Sequence, residues 1–482
     1  MSKIKRLAGD TVLYGLGSIV PRFLNFLLIR IHTEVLNPEE YGIITDVLAM
    51  VAFLNVIYSF GMETAYFRFA TKPGADEKHV FNLAQTVVLA ISVFVSLLLI
   101  VFALPLSDEF GFGRAHVSYM YGIVGIMLLD AVVMIPFARL RFQRKALLFA
   151  VGRFINILIL VGLNIYFLRV IYNPEIGFAY VFLANLLANL FFIPFFWRVL
   201  VSWRPAYDRV VSREMFRYAY PVMLTGLAGM TNETFSRKTL KYWLPEGFYA
   251  GRSNSYVLGI FGAVYKFAVL MNLAVQAFRY AAEPFFFSNA ADKNSPELFA
   301  RINHYFIVVC CVILLGVGIN LDVLKLFFLP NPAYWEGLTV VPVLLLGYLF
   351  LGVYYNFTVW FKLTDRTYFG TILTAGGAVI TIAANYMLIP VAGYMGSSWA
   401  TLLCYFTMAA ACYWFGQKYY PIPYAIGKGL AYIVITTGLV YAVREIRIES
   451  MWLALAFHAV VMLIYLLILY FVERRGLRGV RR

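Results

Sequence analysis

Apolar runs of about 20 residues recur along the whole chain, separated by short polar connections. About 20 residues is the length a helix needs to cross a bilayer. The runs lack the period-two alternation of transmembrane barrel strands. The pattern predicts about fourteen spans, at roughly 9–31, 41–66, 80–103, 117–140, 148–170, 177–200, 214–236, 254–281, 303–325, 335–360, 367–389, 393–416, 425–443 and 450–473. The expected fold is all-α, a polytopic integral membrane protein. The first run is too long for a cleaved signal and lacks a small-residue cleavage site, so it is expected to remain as a helix. The longest connection, about 282–302, holds Asp292, Asn294, Ser295 and Pro296, a turn-and-cap composition.

Two connections echo each other. VLNPEEYG at 35–42 joins the first two spans, and YWLPEGFYAG at 242–251 joins the seventh and eighth. Their Pro-Glu pairs lie about 207 residues apart, a weak mark of the two six-helix halves common in transporters. The expected division is a first lobe at 1–206, a second at 207–420, and two further helices with a basic tail at 421–482.

Composition agrees with the pattern. The 482 residues are 62% hydrophobic and 13% charged, where a soluble chain runs near a quarter charged. The net charge of +15 does not call for nucleic acid, because in a membrane protein the placement of Lys and Arg matters more than their sum. With the N-terminus inside, roughly 27 basic residues fall in inside segments and roughly 10 outside, which predicts both termini in the cytoplasm. The outside cluster Arg237, Lys238, Lys241 and Arg252 is discordant. Cys310, Cys311, Cys404 and Cys412 lie in apolar runs without CxxC spacing, and the five histidines show no metal spacing. IGKGL at 426–430 is not a phosphate-binding loop.

The candidate chemistry lies in charges inside the spans. Arg22 sits mid-span beside Pro21, on a polar stripe with Tyr14, Ser18 and Asn25. A charge there costs about 2.5–3.5 kcal/mol on insertion scales. Pro21 removes one helix hydrogen bond and favours a kink. Cavity lining is preferred to a snorkelling arginine. Lys266 is the second-half counterpart, on a stripe with Gly259 and Gly262, where close helix packing and cavity lining are equally open readings. Asp46 could orient a basic residue, carry a coupling cation or mark a span boundary. Asp130 and Arg153 are expected to form a structural ion pair. Glu63 and Arg68 end the second span as a capping pair or a gate. Glu233, Arg237 and Lys241 share a face of span seven, suited to intrahelical pairs or to a phosphate. A third stripe joins Asn272, Gln276, Arg279 and Glu283.

GLGSIVPRFLNFLLIR followed by LNPEEYG, FGMETAYFRF, AFRYAAEPFFF and IPVAGYMGSSWATLL, in that order, resemble the Wzx-type polysaccharide flippases of the MOP superfamily. The resemblance implies movement of undecaprenyl-pyrophosphate-linked oligosaccharide across the bacterial cytoplasmic membrane by alternating access through a cationic cavity. It implies no catalytic residues, no cofactor and no nucleic acid. The partners would be the lipid-linked substrate, the phospholipid bilayer and other polysaccharide assembly proteins. Coupling to Na+, H+ or the membrane potential is left open. Arg22, Asp46 and Lys266 resemble, by order and context, charged positions of the related lipid II flippase MurJ, with Lys266 in place of an arginine. The rival expectations are a MATE-like cation-coupled drug exporter, a membrane glycan polymerase or glycosyltransferase, and a scaffold. Mid-span cations disfavour the exporter, the short loops disfavour the enzymes, and unpaired intramembrane charges disfavour the scaffold.

Overall fold

A computed structural model describes the backbone of residues 3–290, 292, 294–446 and 448–479, and their side chains except at 3–14, 16, 284 and 475–479. The expected contribution of Tyr14 and the basic side chains of Lys3, Lys5, Arg6, Lys293, Arg475, Arg478, Arg481 and Arg482 fall outside the described residues.

The chain begins with α1 (Lys3–Val35), α2 (Pro38–Ser59), α3 (Met62–Ala70), α4 (Glu77–Val101), α5 (Ala103–Glu109), α6 (Ser118–Phe142) and α7 (Ala146–Ile165). It continues through α8 (Ala179–Leu190), α9 (Phe192–Phe195), α10 (Trp197–Ser202), α11 (Arg209–Trp243), α12 (Asn254–Ser288) and α13 (Ser295–Ile319). The last helices are α14 (Leu321–Phe328), α15 (Val341–Phe357), α16 (Val359–Leu363), α17 (Tyr368–Tyr419), α18 (Ile426–Arg444) and α19 (Met451–Gly479). Among the described residues ten helical stretches are long and apolar enough to cross a membrane. The protein is an all-α polytopic membrane protein. The connection expected at 282–302 is mostly helical, because α12 runs on to Ser288 and α13 starts at Ser295 with Pro296 in its first turn.

The helix boundaries have local causes. Asn37 caps α2 in a reciprocal box: the Glu40 amide donates to Asn37 Oδ1 and the Asn37 amide to Glu40 Oε2, both at 3.0 Å. Pro38 follows, where a missing N–H costs nothing. At the other end Phe60 and Gly61 adopt φ of 46° and 70°, which breaks α2 from α3. Asp208 caps α11 by accepting from the amides of Val210 and Val211. Pro21 lies inside α1 without ending it.

Two compact units are distinguished, Met1–Ala263 with Tyr368–Cys404, and Val264–Thr367 with Tyr405–Arg482. In the first, α1 lies parallel on α7. A Cβ on Gly17 would press on Ala150, and His32 Nε2 meets Asn164 Oδ1 at 2.8 Å. The contact therefore keeps one register along its length. Helices α2 and α3 lie antiparallel on α11: Lys72 meets Glu214, Gly61 meets the Ala219 carbonyl, Val56 meets Gly226 and Asp46 meets Lys238. Helix α12 approaches α2 backbone to backbone, with Gly259 against Pro38 and Gly42, and Gly262 against Thr45. The glycine stripe expected to permit close approach does so.

Gly393 interrupts α17 at φ 56° and ψ −134°, a conformation open essentially to glycine. The Tyr249 ring lies against it and stacks on Tyr394, centroids 5.0 Å apart and planes within 4°. Gly393→Ala is expected to destabilise the protein by about 1–3 kcal/mol, read as a lower melting temperature in detergent micelles. An unchanged melting curve would contradict the strain argument.

The second unit contains α13, α15, α18, α19 and the end of α17. Tyr265 and Tyr348 share a hydroxyl hydrogen bond of 2.5 Å in its interior. Trp360 donates to the Cys412 carbonyl at 3.1 Å, in the space left by Gly416. The four cysteines are free and buried.

Candidate functional site

The α1–α7 register brings Arg22 beside Arg153. Gly17 faces Ala150 and His32 faces Asn164, so residue 22 falls opposite the residues next to Arg153. Arg22 is exposed, and among the described residues it makes no hydrogen bond or ion pair. Asn25, one turn on, is exposed as well. Arg153 lies over the Phe137 ring at 4.1 Å from its centroid, on the apolar cluster of Phe137, Phe149, Phe192 and Phe196. Arg22 and Arg141 repel its charge, while Asp130 and Glu63 attract it. Three guanidiniums and two carboxylates thus share one neighbourhood, with one positive charge in excess.

The expected Asp130–Arg153 pair is looser than predicted. Asp130 Oδ1 accepts from Asn189 Nδ2 at 3.0 Å, and among the described residues no ion pair within 4.0 Å joins Asp130 and Arg153. Their attraction acts at longer range, and the aromatic cluster holds the guanidinium. Glu63 and Arg68 do not cap one another. Glu63 is paired with Arg141 of α6, and Arg68 lies over the Tyr218 ring of α11 at 4.3 Å. They sit five residues apart on a nine-residue helix, hence on different faces, so α6 takes one and α11 the other.

Among the described residues of this unit, Asp46 is the most enclosed charge. Its side chain is 2% exposed, and its two oxygens accept from different lysines, Lys238 at 2.6 Å and Lys241 at 3.0 Å. Lys241 also donates to the Glu109 carbonyl at 2.5 Å. Lys238 lies 4.6 Å from the Phe110 ring centroid and 5.1 Å from that of Tyr242. The basic cluster near the end of α11, discordant as an exposed loop, is thus partly neutralised from α2. Of the stripe Glu233, Arg237 and Lys241, Arg237 Nη2 reaches the Glu233 carbonyl at 3.4 Å, while Lys241 turns to Asp46.

The opposite face of α11 carries a neutral polar seam that was not predicted. Asn232 accepts from Thr381 at 3.3 Å and donates to the Thr374 carbonyl at 3.1 Å. Asn385 donates to Ser236 at 3.0 Å and accepts from Ser397 at 3.1 Å. Each of these side chains is buried. This accounts for the low apolarity of α11, whose polar residues find partners on both α2 and α17. The available signal was the density of Thr, Asn and Ser between 225 and 239, which exceeds what lipid exposure tolerates.

In the second unit Lys266 is half-buried and engaged with its surroundings. Further along α12, Gln276 donates to Asn272 at 3.4 Å, Arg279 covers the Tyr355 ring, and Glu283 pairs with Lys362 at 2.5 Å. An apolar cavity of about 180 Å³ lies between α13, α15, α17 and α18, lined by Ile307, Phe350, Phe406 and Leu430 among others. Among the described residues no three His, Cys, Asp or Glu side chains cluster as a metal site would require.

The architecture is that of known transporters. It matches the lipid II flippase MurJ in an inward closed conformation with a TM-score of 0.71 at 11% identity, over 96% of this chain and 99% of that one. It matches a multidrug resistance MATE family transporter of the MOP superfamily, in an outward-facing conformation, with a TM-score of 0.55 at 16% identity, over 86% and 95%. A MATE protein in complex with MaD3S gives 0.57 at 13%, over 92% and 97%. No curated protein matches the sequence. The model of the family described as polysaccharide biosynthesis protein matches residues 7–289. That span runs from α1 through α12, includes Arg22, Asp46, Lys238 and Lys266, and covers more than half of the chain, which therefore belongs to this family.

Proposed function

We propose that the protein is a flippase that carries undecaprenyl-pyrophosphate-linked oligosaccharide across the bacterial cytoplasmic membrane by alternating access, for surface polysaccharide synthesis. In this reading both termini lie in the cytoplasm and helices in 1–206 and 207–420 act as two lobes. The observation that carries it is Arg22, an exposed charge mid-span that no carboxylate among the described residues pairs with. In hydrocarbon that position is costly. A watered path and an arriving anion offset the cost through charge-assisted hydrogen bonds. Family membership makes a glycan carrier the natural bearer of that anion.

Lys266 is a second cation offered to the phosphate, as a point charge rather than through a bidentate fork. The polyprenyl chain remains in lipid, and no covalent bond changes, so the protein is not an enzyme. Asp46 orients Lys238 and Lys241. A Na+ or H+ used for coupling would compete there with two ammonium groups, which favours the membrane potential or a different coupling position. The test is reconstitution of the full chain into vesicles with a lipid-linked oligosaccharide. Movement between leaflets well above that of protein-free vesicles is expected. No movement under any imposed Na+, H+ or voltage gradient would reject the reading.

A further inference from the structure

We propose that Lys238 and Lys241 of α11 form an anion site for the diphosphate of the cargo, and that the Asp46 carboxylate fills this site when the anion is absent. The identity of the anion rests on the flippase reading; the site rests on the geometry within one compact unit.

Two ammonium groups converge on one carboxylate, one on each oxygen, at 2.6 and 3.0 Å. Against Asp46 alone one positive charge is left over; the Glu109 carboxylate, which accepts from the Tyr242 hydroxyl beside both lysines, lies in the same neighbourhood and offsets it. The lysines do not depend on Asp46 alone for their placement. Lys238 lies over Phe110 and Tyr242, and Lys241 is held by the Glu109 carbonyl. The pair would therefore persist with the carboxylate withdrawn. Access differs across the cluster: the lysine side chains are 29% and 16% exposed, against 2% for Asp46. An arriving anion meets the ammonium groups first. A diphosphate brings more charge and more acceptor oxygens than a carboxylate, and each charge-assisted bond is stronger than a neutral one.

The displacement has a mechanical consequence. Asp46 ties α2 to the C-terminal part of α11, while the contact near the N-terminal end of α11 uses the exposed Lys72–Glu214 pair, 49% and 56% exposed. An exposed pair contributes little. Of these two ties the enclosed one is therefore the one whose loss weakens the α2–α11 contact more, beside the packing of Val56 on Gly226 and Gly61 on the Ala219 carbonyl. An anion that binds the lysines better without Asp46 shifts the balance between closed and separated helices toward separation.

The experiment measures binding of inorganic pyrophosphate, with sulfate as control, to the full chain in lipid nanodiscs. Asp46→Asn removes the competitor and is expected to tighten pyrophosphate at least tenfold. Lys238→Gln with Lys241→Gln is expected to weaken it at least tenfold. Lys238→Gln alone leaves Lys241 and Asp46 balanced, so it guards against misfolding, and a several-fold loss is expected. Pyrophosphate affinity that is the same in the wild type, Asp46→Asn and Lys238→Gln overturns the proposal. So does affinity lost only in Arg22→Gln. The vesicle assay keeps the two readings apart. Oligosaccharide movement with lysine-independent pyrophosphate binding removes this site and leaves the flippase. Lysine-dependent, Asp46-opposed binding without oligosaccharide movement leaves the anion site and removes the cargo.

Discussion

Arg22→Gln in vesicle-reconstituted protein is expected to slow oligosaccharide translocation about 10- to 100-fold, since a hydrogen bond to a charged group is worth about 1.5–3 kcal/mol. The side chain is exposed, and among the described residues it holds no ion pair or hydrogen bond, so its loss disturbs little of the fold. Insertion and melting temperature should remain those of the parent. Arg22→Lys should recover part of the rate, because the charge is kept and the planar fork is lost. Lys266→Ala should slow translocation in the same direction. Its half-buried side chain has surroundings to lose, so its melting temperature must be measured beside the rate. Full transport by both Arg22→Gln and Lys266→Ala would remove the cationic path from the mechanism.

Gly259→Val should destabilise the protein strongly, by about 3 kcal/mol, the upper end of overpacking. A Cβ at this position would overlap the Pro38 carbonyl, with the Gly42 nitrogen close behind. These are backbone atoms, which cannot swing aside as a side chain can. The helices would have to part at the capped start of α2, a turn or two from Asp46. Unfolding in micelles measures the effect. Gly376→Ala is the matched control, because nothing lies within 4 Å of a Cβ there, and helix propensity favours Ala over Gly. A Gly259→Val protein that melts with the parent would show that the α2–α12 contact is not tight in the membrane.

Much of this was legible from residue order alone. The apolar runs imply helices because a bilayer offers the backbone no other partner. Asn37, Pro38 and Glu40 read in the sequence only as part of a connection at 35–42, with the second span starting at 41, whereas they cap the start of α2 at Pro38. Arg22 stands out as a charge where charge is expensive. The glycines at 259 and 262 announced a close helix contact, though not the partner. The pairing of charges was a different matter. Glu63 and Arg68 are neighbours in the sequence and yet bind α6 and α11 separately. Asp46 lies roughly 190 residues from the lysines that hold it. The basic cluster near 240 looked misplaced until its carboxylate partner came from another helix.

The sequence by itself determined the all-α membrane class, a glycine stripe open to close packing, and which residues carry intramembrane charge, because these follow from local chemistry and from the cost of polar groups in lipid. The tertiary structure decided which charges meet: the parallel register of α1 on α7 brings Arg22 to Arg153, and the antiparallel register of α2 on α11 brings Asp46 to Lys238 and Lys241. A helix presents several faces, and only the register of its contacts decides which face each neighbour receives.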